Sequence, residues 1–293
     1  MNLHFILKVF LAYHTVCLNS ILCQDVITEV SQLTFEGNRS GEGYFSSSGN
    51  KMCYQAEAQK GNPFYQIFVV DLLNGKNQLV SSGIGKTTCS WFHPSENLIL
   101  YASTHHDKSS LDKQKEEYDI RMHGKKKKYS WDYDKSYELY TKNLLTGRET
   151  RLTNTLGYDA ECAFSPDGSK IIFTSNRHLY SENTAVDTQN ISVHNEIYLM
   201  DYKSRKIERL THTAGYDGGP FFDSTGSNIC WRRFTPDGHS AEIYTMSLQE
   251  RVEKKITNLG AMSWAPFFHP SQKYLIFATN LQGFQNFELY IVY

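Results

Sequence analysis

One phenylalanine-centred unit recurs five times along the chain, and that periodicity constrains the fold more than any other feature. The clearest copy runs Ala163-Phe164-Ser165-Pro166-Asp167-Gly168-Ser169-Lys170-Ile171-Ile172-Phe173-Thr174-Ser175-Asn176-Arg177. Its anchor aligns with Phe45, Phe92, Phe222 and Phe268, so the five anchors stand 47, 72, 58 and 46 residues apart. A second anchor follows each of them: Ile67-Phe68, Leu139-Tyr140, Ile197-Tyr198, Ile243-Tyr244 and Leu289-Tyr290. A third signature closes four of the units, at Gln78-Leu79-Val80, Arg151-Leu152-Thr153, Arg209-Leu210-Thr211 and Lys255-Ile256-Thr257.

Each unit reads as four short strands. Pro166-Asp167-Gly168 is turn chemistry, with proline presetting φ and glycine accepting a positive φ. It separates a strand near 160–164 from one near 170–175, and a third and fourth are expected near 195–201 and 206–211. Asn74-Gly75 marks a tight hairpin in the first unit. Four strands repeated at about 46 residues, with no sustained helical spacing of apolar residues, predict an all-β fold: a β-propeller of four-stranded blades with five repeats countable. The last unit supplies strands near Trp264–Phe268, Tyr274–Thr279 and Phe287–Val292. Its fourth strand is expected from Ile27 to Phe35, where Gln32-Leu33-Thr34 carries the closing signature. The N-terminal strand would then close the ring and leave no sheet edge.

Composition agrees with one folded β domain. Among 293 residues, 19 Tyr and 17 Phe stand against 7 Pro, a bias toward strands. Thirty Lys+Arg against 31 Asp+Glu give a formal charge of −1, which argues against a nucleic-acid partner or an anionic-membrane binder. Residues 1–23 read as a secretory signal peptide: the apolar run is short and broken by His4, Lys8 and His14, where a spanning helix wants about 20 apolar residues. The mature chain, 27–293, is then one propeller domain with no stable membrane span, expected to be a periplasmic or secreted monomer. Cys53, Cys89, Cys162 and Cys230 fall inside apolar strand-like runs and read as buried small hydrophobes, with one or two disulfides as the alternative.

The motif Phe164-Ser165-Pro166-Asp167-Gly168, an apolar strand ending in Thr174-Ser175-Asn176-Arg177, then Glu196-Ile197-Tyr198-Leu199-Met200-Asp201 and Arg209-Leu210-Thr211, resembles the TolB-type β-propeller, the WD40-like repeat of bacterial envelope proteins. The resemblance covers roughly 27–293 and lacks the N-terminal α/β domain of TolB itself. Rings of that family usually have six blades, one more than the repeats countable here. The resemblance implies a binding role: TolB contacts partner proteins in envelope maintenance.

Elaboration is concentrated on one side. The second and third units exceed the 46-residue period by about 26 and 12 residues. Both insertions, about 105–135 and 178–194, fall between the second and third strands, and in a propeller these loops share a face with the blade-to-blade connections. The connections hold the near-repeat Gly157-Tyr158-Asp159-Ala160-Glu161 and Gly215-Tyr216-Asp217-Gly218-Gly219. The expected partner-binding face comprises Tyr158, Asp159, Glu161, Tyr216, Asp217, Trp131, Tyr133 and Trp264. The larger insertion has helical character over 111–118 and four consecutive lysines at 125–128, read as a solvated loop. No cofactor is expected. Asp159, Glu161 and Asp217 are the weak candidates for Ca²⁺ by their oxygens; His105 and His106, pointing opposite ways in an extended segment, suit a single metal ion poorly.

No GxSxG, HExxH or phosphate-binding glycine loop occurs, and Asp167 and Asp237 belong to turns. The leading reading is a non-enzymatic, exported scaffold that binds a protein or peptide through its loop-elaborated face, in a TolB-like envelope role. The alternative is an accessory or gating propeller of a peptidase or other hydrolase whose catalytic domain is absent from this chain. A third possibility, a propeller hydrolase or lyase, would use Asp159, Glu161, Asp217 and Arg232 or Arg233.

Overall fold

Nineteen strands arrange into five antiparallel sheets, each a simple meander. The structure is a computed structural model that describes residues 30–124, 133–181 and 194–293. The first sheet holds β1 (Ser40–Phe45), β2 (Lys51–Ala56), β3 (Gln66–Asp71) and β4 (Asn77–Leu79). The second holds β5 (Thr87–Phe92), β6 (Leu98–Ser103), β7 (Glu138–Asn143) and β8 (Glu149–Arg151). The third holds β9 (Ala160–Phe164), β10 (Lys170–Ser175), β11 (Glu196–Asp201) and β12 (Ile207–Arg209). The fourth holds β13 (Asp217–Phe222), β14 (Asn228–Phe234), β15 (Ala241–Ser247) and β16 (Glu253–Lys255). The fifth has three strands, β17 (Ser263–Phe268), β18 (Leu275–Thr279) and β19 (Glu288–Val292). This is the five-bladed propeller that the repeats predict, with each blade's strands lettered a to d from the axis outward.

The three sequence signatures have three jobs. The first anchor joins blades: Phe92 packs among Cys53, Ile67 and Val69 of the blade before it, Phe164 among Leu100, Leu139 and Leu152, and Phe222 among Ile172, Ile197 and Leu210. The second anchor supplies the surface that receives it, since Ile67, Leu139, Ile197 and Ile243 are each 0% exposed. The third ties strand d to strand c. The hydroxyls of Ser81, Thr153, Thr211 and Thr257 accept from the backbone N–H of Ile67, Leu139, Ile197 and Ile243, at 3.0, 2.9, 2.9 and 2.9 Å. Arg151 and Arg209 reach back to Glu138 and Glu196 at 2.8 and 2.6 Å. A three-residue strand d is thereby held by side chains as well as by its ladder.

One joint is left unmade. Among the described residues, packing of sheet on sheet runs from the first blade to the fifth, and no comparable packing joins the fifth to the first. Leu289 of β19, in register with the four buried second anchors, is 64% exposed, and Phe45, the first blade's anchor, is 59% exposed. Here the sequence expectation needs correcting. The closing strand expected over Ile27 to Phe35 is not formed over its described part: residues 30–36 carry no strand, Val30 and Phe35 are exposed, and β19 has no fourth strand beside it among the described residues. A three-residue ladder has too few hydrogen bonds to hold a strand by itself.

Two insertions leave the b-to-c connections, as expected. The larger contains helix α1 (Ser110–Met122) and the smaller a single turn, α2 (His178–Ser181). Cys53, Cys89, Cys162 and Cys230 are free and buried, which settles them as core residues and not disulfides. The expected signal segment 1–23, Trp131 and the lysine run 125–128 lie outside the described residues. No described helix is long and apolar enough to cross a membrane.

Candidate functional site: the axial cavity

The innermost strand of every blade carries a bulge, visible as a register shift against strand b. At its centre one residue adopts the left-handed conformation: Glu42 (φ +47°), Cys89 (+47°), Glu161 (+52°), Gly219 (+60°) and Ala265 (+49°). Each stands three residues before its blade's anchor phenylalanine. Four of the five are not glycine, and each such residue costs about 1 kcal/mol or more of backbone strain. Bulges re-aim side chains, and these five all line one cavity of about 1250 Å³ on the axis.

On the floor, Glu161 is fully engaged. Its carboxylate accepts from the Tyr216 hydroxyl, from the Gly219 N–H at 2.5 Å and from Arg232 Nη2 at 3.1 and 3.3 Å. Arg232 lies over the Tyr216 ring, 5.1 Å from its centroid. The guanidinium fits only because position 219 has no side chain: a Cβ there would stand 2.3 Å from Arg232 Nη1. Glu42 accepts one hydrogen bond, from the Cys89 thiol at 3.0 Å. Glu42 is exposed to solvent in the cavity, and the solvent that the surrounding protein takes from it raises its carboxyl above the usual range; the thiol bond and Arg232 oppose that rise, and Glu161 adds to it. Burial, with Glu42 and Glu161 nearby, pushes the Cys89 thiol well above its ordinary value, so it stays protonated and is a poor nucleophile. Beneath the floor a layer of rings closes the axis: Tyr44 to Trp91 at 4.8 Å, Trp91 to Phe221 at 5.4 Å and Phe221 to Phe267 at 5.4 Å between centroids.

The mouth is framed by α1. Gln114 donates to the Gly61 carbonyl at 2.7 Å and accepts from the Gly85 N–H at 3.2 Å. Arg121 grips Glu57 at 3.1 and 3.3 Å, and Lys113 bridges Asp107 and Asp134 at 2.8 and 2.9 Å. An insertion of the second blade is thus fastened to loops of the first, beside the rings of Phe64 and Tyr65 that line the cavity.

The residues expected to form the binding face divide into two groups. Glu161, Tyr158 and Tyr216 line the cavity, Tyr133 stacks on Tyr158 at 5.8 Å, and Trp264 stands on the rim, 38% exposed. Asp159 and Asp217 are fully buried. Asp159 pairs with Arg177 and accepts from Ser175 at 2.6 Å, while Asp217 holds both arms of Arg233 at 2.6 Å. The three calcium candidates are therefore each engaged by an arginine, and no group of three His, Cys, Asp or Glu able to hold a metal occurs among the described residues. His105 is engaged by Ser103 and Glu149 at 2.8 and 3.2 Å, and His106 by Tyr140 at 2.9 Å. Sequence reasoning missed Glu42, Cys89 and Arg232's place on the floor. The signal was available in the aligned repeats, as the column three residues before each anchor.

No family pattern matches this sequence, and no curated protein matches it. Solved structures do. TolB from Acinetobacter baumannii superposes with a TM-score of 0.57 at 17% identity, over 87% of this chain and 54% of that one. A putative TolB from Agrobacterium tumefaciens gives 0.55 at 15% identity, over 88% and 77%. An oligogalacturonate lyase from Vibrio parahaemolyticus gives 0.54 at 11%, over 85% and 60%. The chain spans about half the length of the first of these, and the likeness is one of fold. In its architecture this chain is a β-propeller, similar in fold to the two TolB structures.

Proposed function

We propose that this propeller is an exported, non-catalytic scaffold that takes a segment of a partner protein into the mouth of its axial cavity. The observation that carries this reading is the coincidence of three things on one face: the two long insertions, the axial cavity and a rim where half-buried Tyr65 and exposed Trp264 stand near the buried ring of Phe64. Function sits on loops presented by a rigid scaffold, and a concave, aromatic, sparsely polar pocket is the usual form of a binding site. The floor is suited to holding and not to attack, since its thiol is kept protonated and Glu161 is saturated by donors.

The test is selection of peptides from a random displayed library against the purified chain. Enriched peptides should bind Trp264→Ala and Tyr65→Ala variants at least tenfold more weakly, while Arg251→Ala, on the opposite face, should bind as the parent does. Failure to enrich any peptide, or equal binding by all variants, would refute the reading.

A further inference from the structure

The floor of the cavity holds an unbalanced charge. Of the five axial positions two are carboxylates and none is a cation; Arg232 reaches in from strand b of the fourth blade to Glu161, whereas Arg39, Lys86, Lys113 and Arg121, which also line the cavity, pair with Glu57, Asp134, Asp107 and Glu117, and Lys135 is exposed. That guanidinium is committed to Glu161 at 3.1 and 3.3 Å and to the Tyr216 hydroxyl at 3.3 Å. Glu42 is left with a thiol as its one hydrogen-bond donor among the described residues, and a thiol is a weak donor that carries no charge. The main chain nevertheless holds Glu42 in the left-handed conformation, at φ +47°, facing the axis. A carboxylate in such a place exerts its field across a cavity with low-dielectric walls, where an opposite charge is worth more than in water. Those walls include the rings of Tyr65, Tyr158 and Tyr216, and aromatic rings attract cations through their faces.

We propose that the axial cavity receives a primary ammonium group, the side chain of a lysine in the bound partner segment, with Glu42 as its counterion. The inference rests on the reading that the cavity binds a partner segment, and it names the chemistry recognised there. A lysine fits better than an arginine because Glu42 Oε2 already accepts the Cys89 thiol, which leaves no free pair of oxygens for a bidentate guanidinium, and the ammonium is a compact charge on a long apolar stem. The stem runs down between the aromatic walls, while the head reaches Glu42 below.

Four pentapeptides test this: acetyl-Gly-Gly-Lys-Gly-Gly-amide and its norleucine, arginine and glutamate counterparts, titrated calorimetrically into the full chain and into E42Q and E42D. The lysine peptide should bind at least tenfold more tightly than the norleucine and glutamate peptides and measurably more tightly than the arginine one. E42Q should erase the preference for lysine over norleucine and E42D should retain most of it, with circular dichroism showing both variants folded. Equal binding of lysine and norleucine, a preference for glutamate, a preference that survives E42Q, or no binding of the lysine peptide at millimolar concentration would each overturn the proposal. If displayed peptides still bind through Trp264 and Tyr65 in that event, the scaffold reading stands and the lysine site alone falls.

Discussion

Leu139 and Leu289 occupy the same position in their blades, and truncating each should have very different consequences. Leu139 is fully buried beneath Phe164 of the next blade, whereas Leu289 is 64% exposed, with no blade beyond it. Leu139→Ala removes a buried side chain from a packed joint, a loss of about 2–5 kcal/mol once the cavity left behind is included. Leu289→Ala gives up roughly a third of that burial and leaves no enclosed cavity, so its cost should be about 1 kcal/mol or less. Urea denaturation followed by far-UV circular dichroism separates the two. With a slope of about 3 kcal/mol per molar urea, Leu139→Ala should lower the midpoint by roughly 1 M and Leu289→Ala by at most about 0.3 M. Comparable shifts would refute the account of the joints, because Leu289 would then have to be covered in solution.

Three further outcomes follow from the site. Gly219→Ala places a methyl 2.3 Å from Arg232 Nη1 at a left-handed residue, so it should displace the guanidinium and destabilise the chain by about 1–3 kcal/mol, read as a lower melting temperature; an unchanged melting temperature would contradict the packing of the floor. His106 and His178 occupy equivalent positions, each bonded to its blade's tyrosine at 2.9 Å, and burial, together with Arg151 at His106 and Arg209 at His178, holds both near pKa 4 against an ordinary 6.5. The unfolded chain binds more protons between those values, so stability should hold above pH 6.5 and fall as pH drops from 6.5 toward 4. A double His→Gln variant should flatten that decline in melting temperature, and an unchanged slope would show that other groups cause it. The Cys89 thiol, held protonated, should react with iodoacetamide at pH 8 far more slowly in the folded chain than in urea; mass spectrometry showing rapid labelling of folded protein would contradict its burial.

Much of the architecture could be read from the repeats because their three signatures are physical joints. Phe222 reports the blade-to-blade contact, Ile197 the surface it meets, and Thr211 the hydroxyl that fastens strand d. The strands around Pro166-Asp167-Gly168 fall at 160–164 and 170–175 as the turn chemistry implies. The closing strand was misjudged because a three-residue signature marks a strand only where it pairs with a strand c, and residues 32–34 form no strand in the described structure. At the site, Asp159 and Asp217 drew attention as acids in matching loops. Their arginine partners lie 18 and 16 residues away, Arg177 just past the end of β10 and Arg233 on β14, where side-chain pairing depends on register and not on local pattern. Glu42 and Cys89 escaped notice for a related reason: a bulge turns one residue out of strand alternation, and no residue type marks it once non-glycine residues tolerate the left-handed conformation.

Hydrogen–deuterium exchange with a selected peptide bound tests most directly the claim that the elaborated face is the binding face. The account predicts protection confined to the mouth of the cavity, in residues 57–65 and 83–89 and in α1, with the turns of the opposite face at 46–50, 165–169 and 223–227 exchanging as in the free chain. Protection of those opposite turns with an unchanged α1 would contradict it.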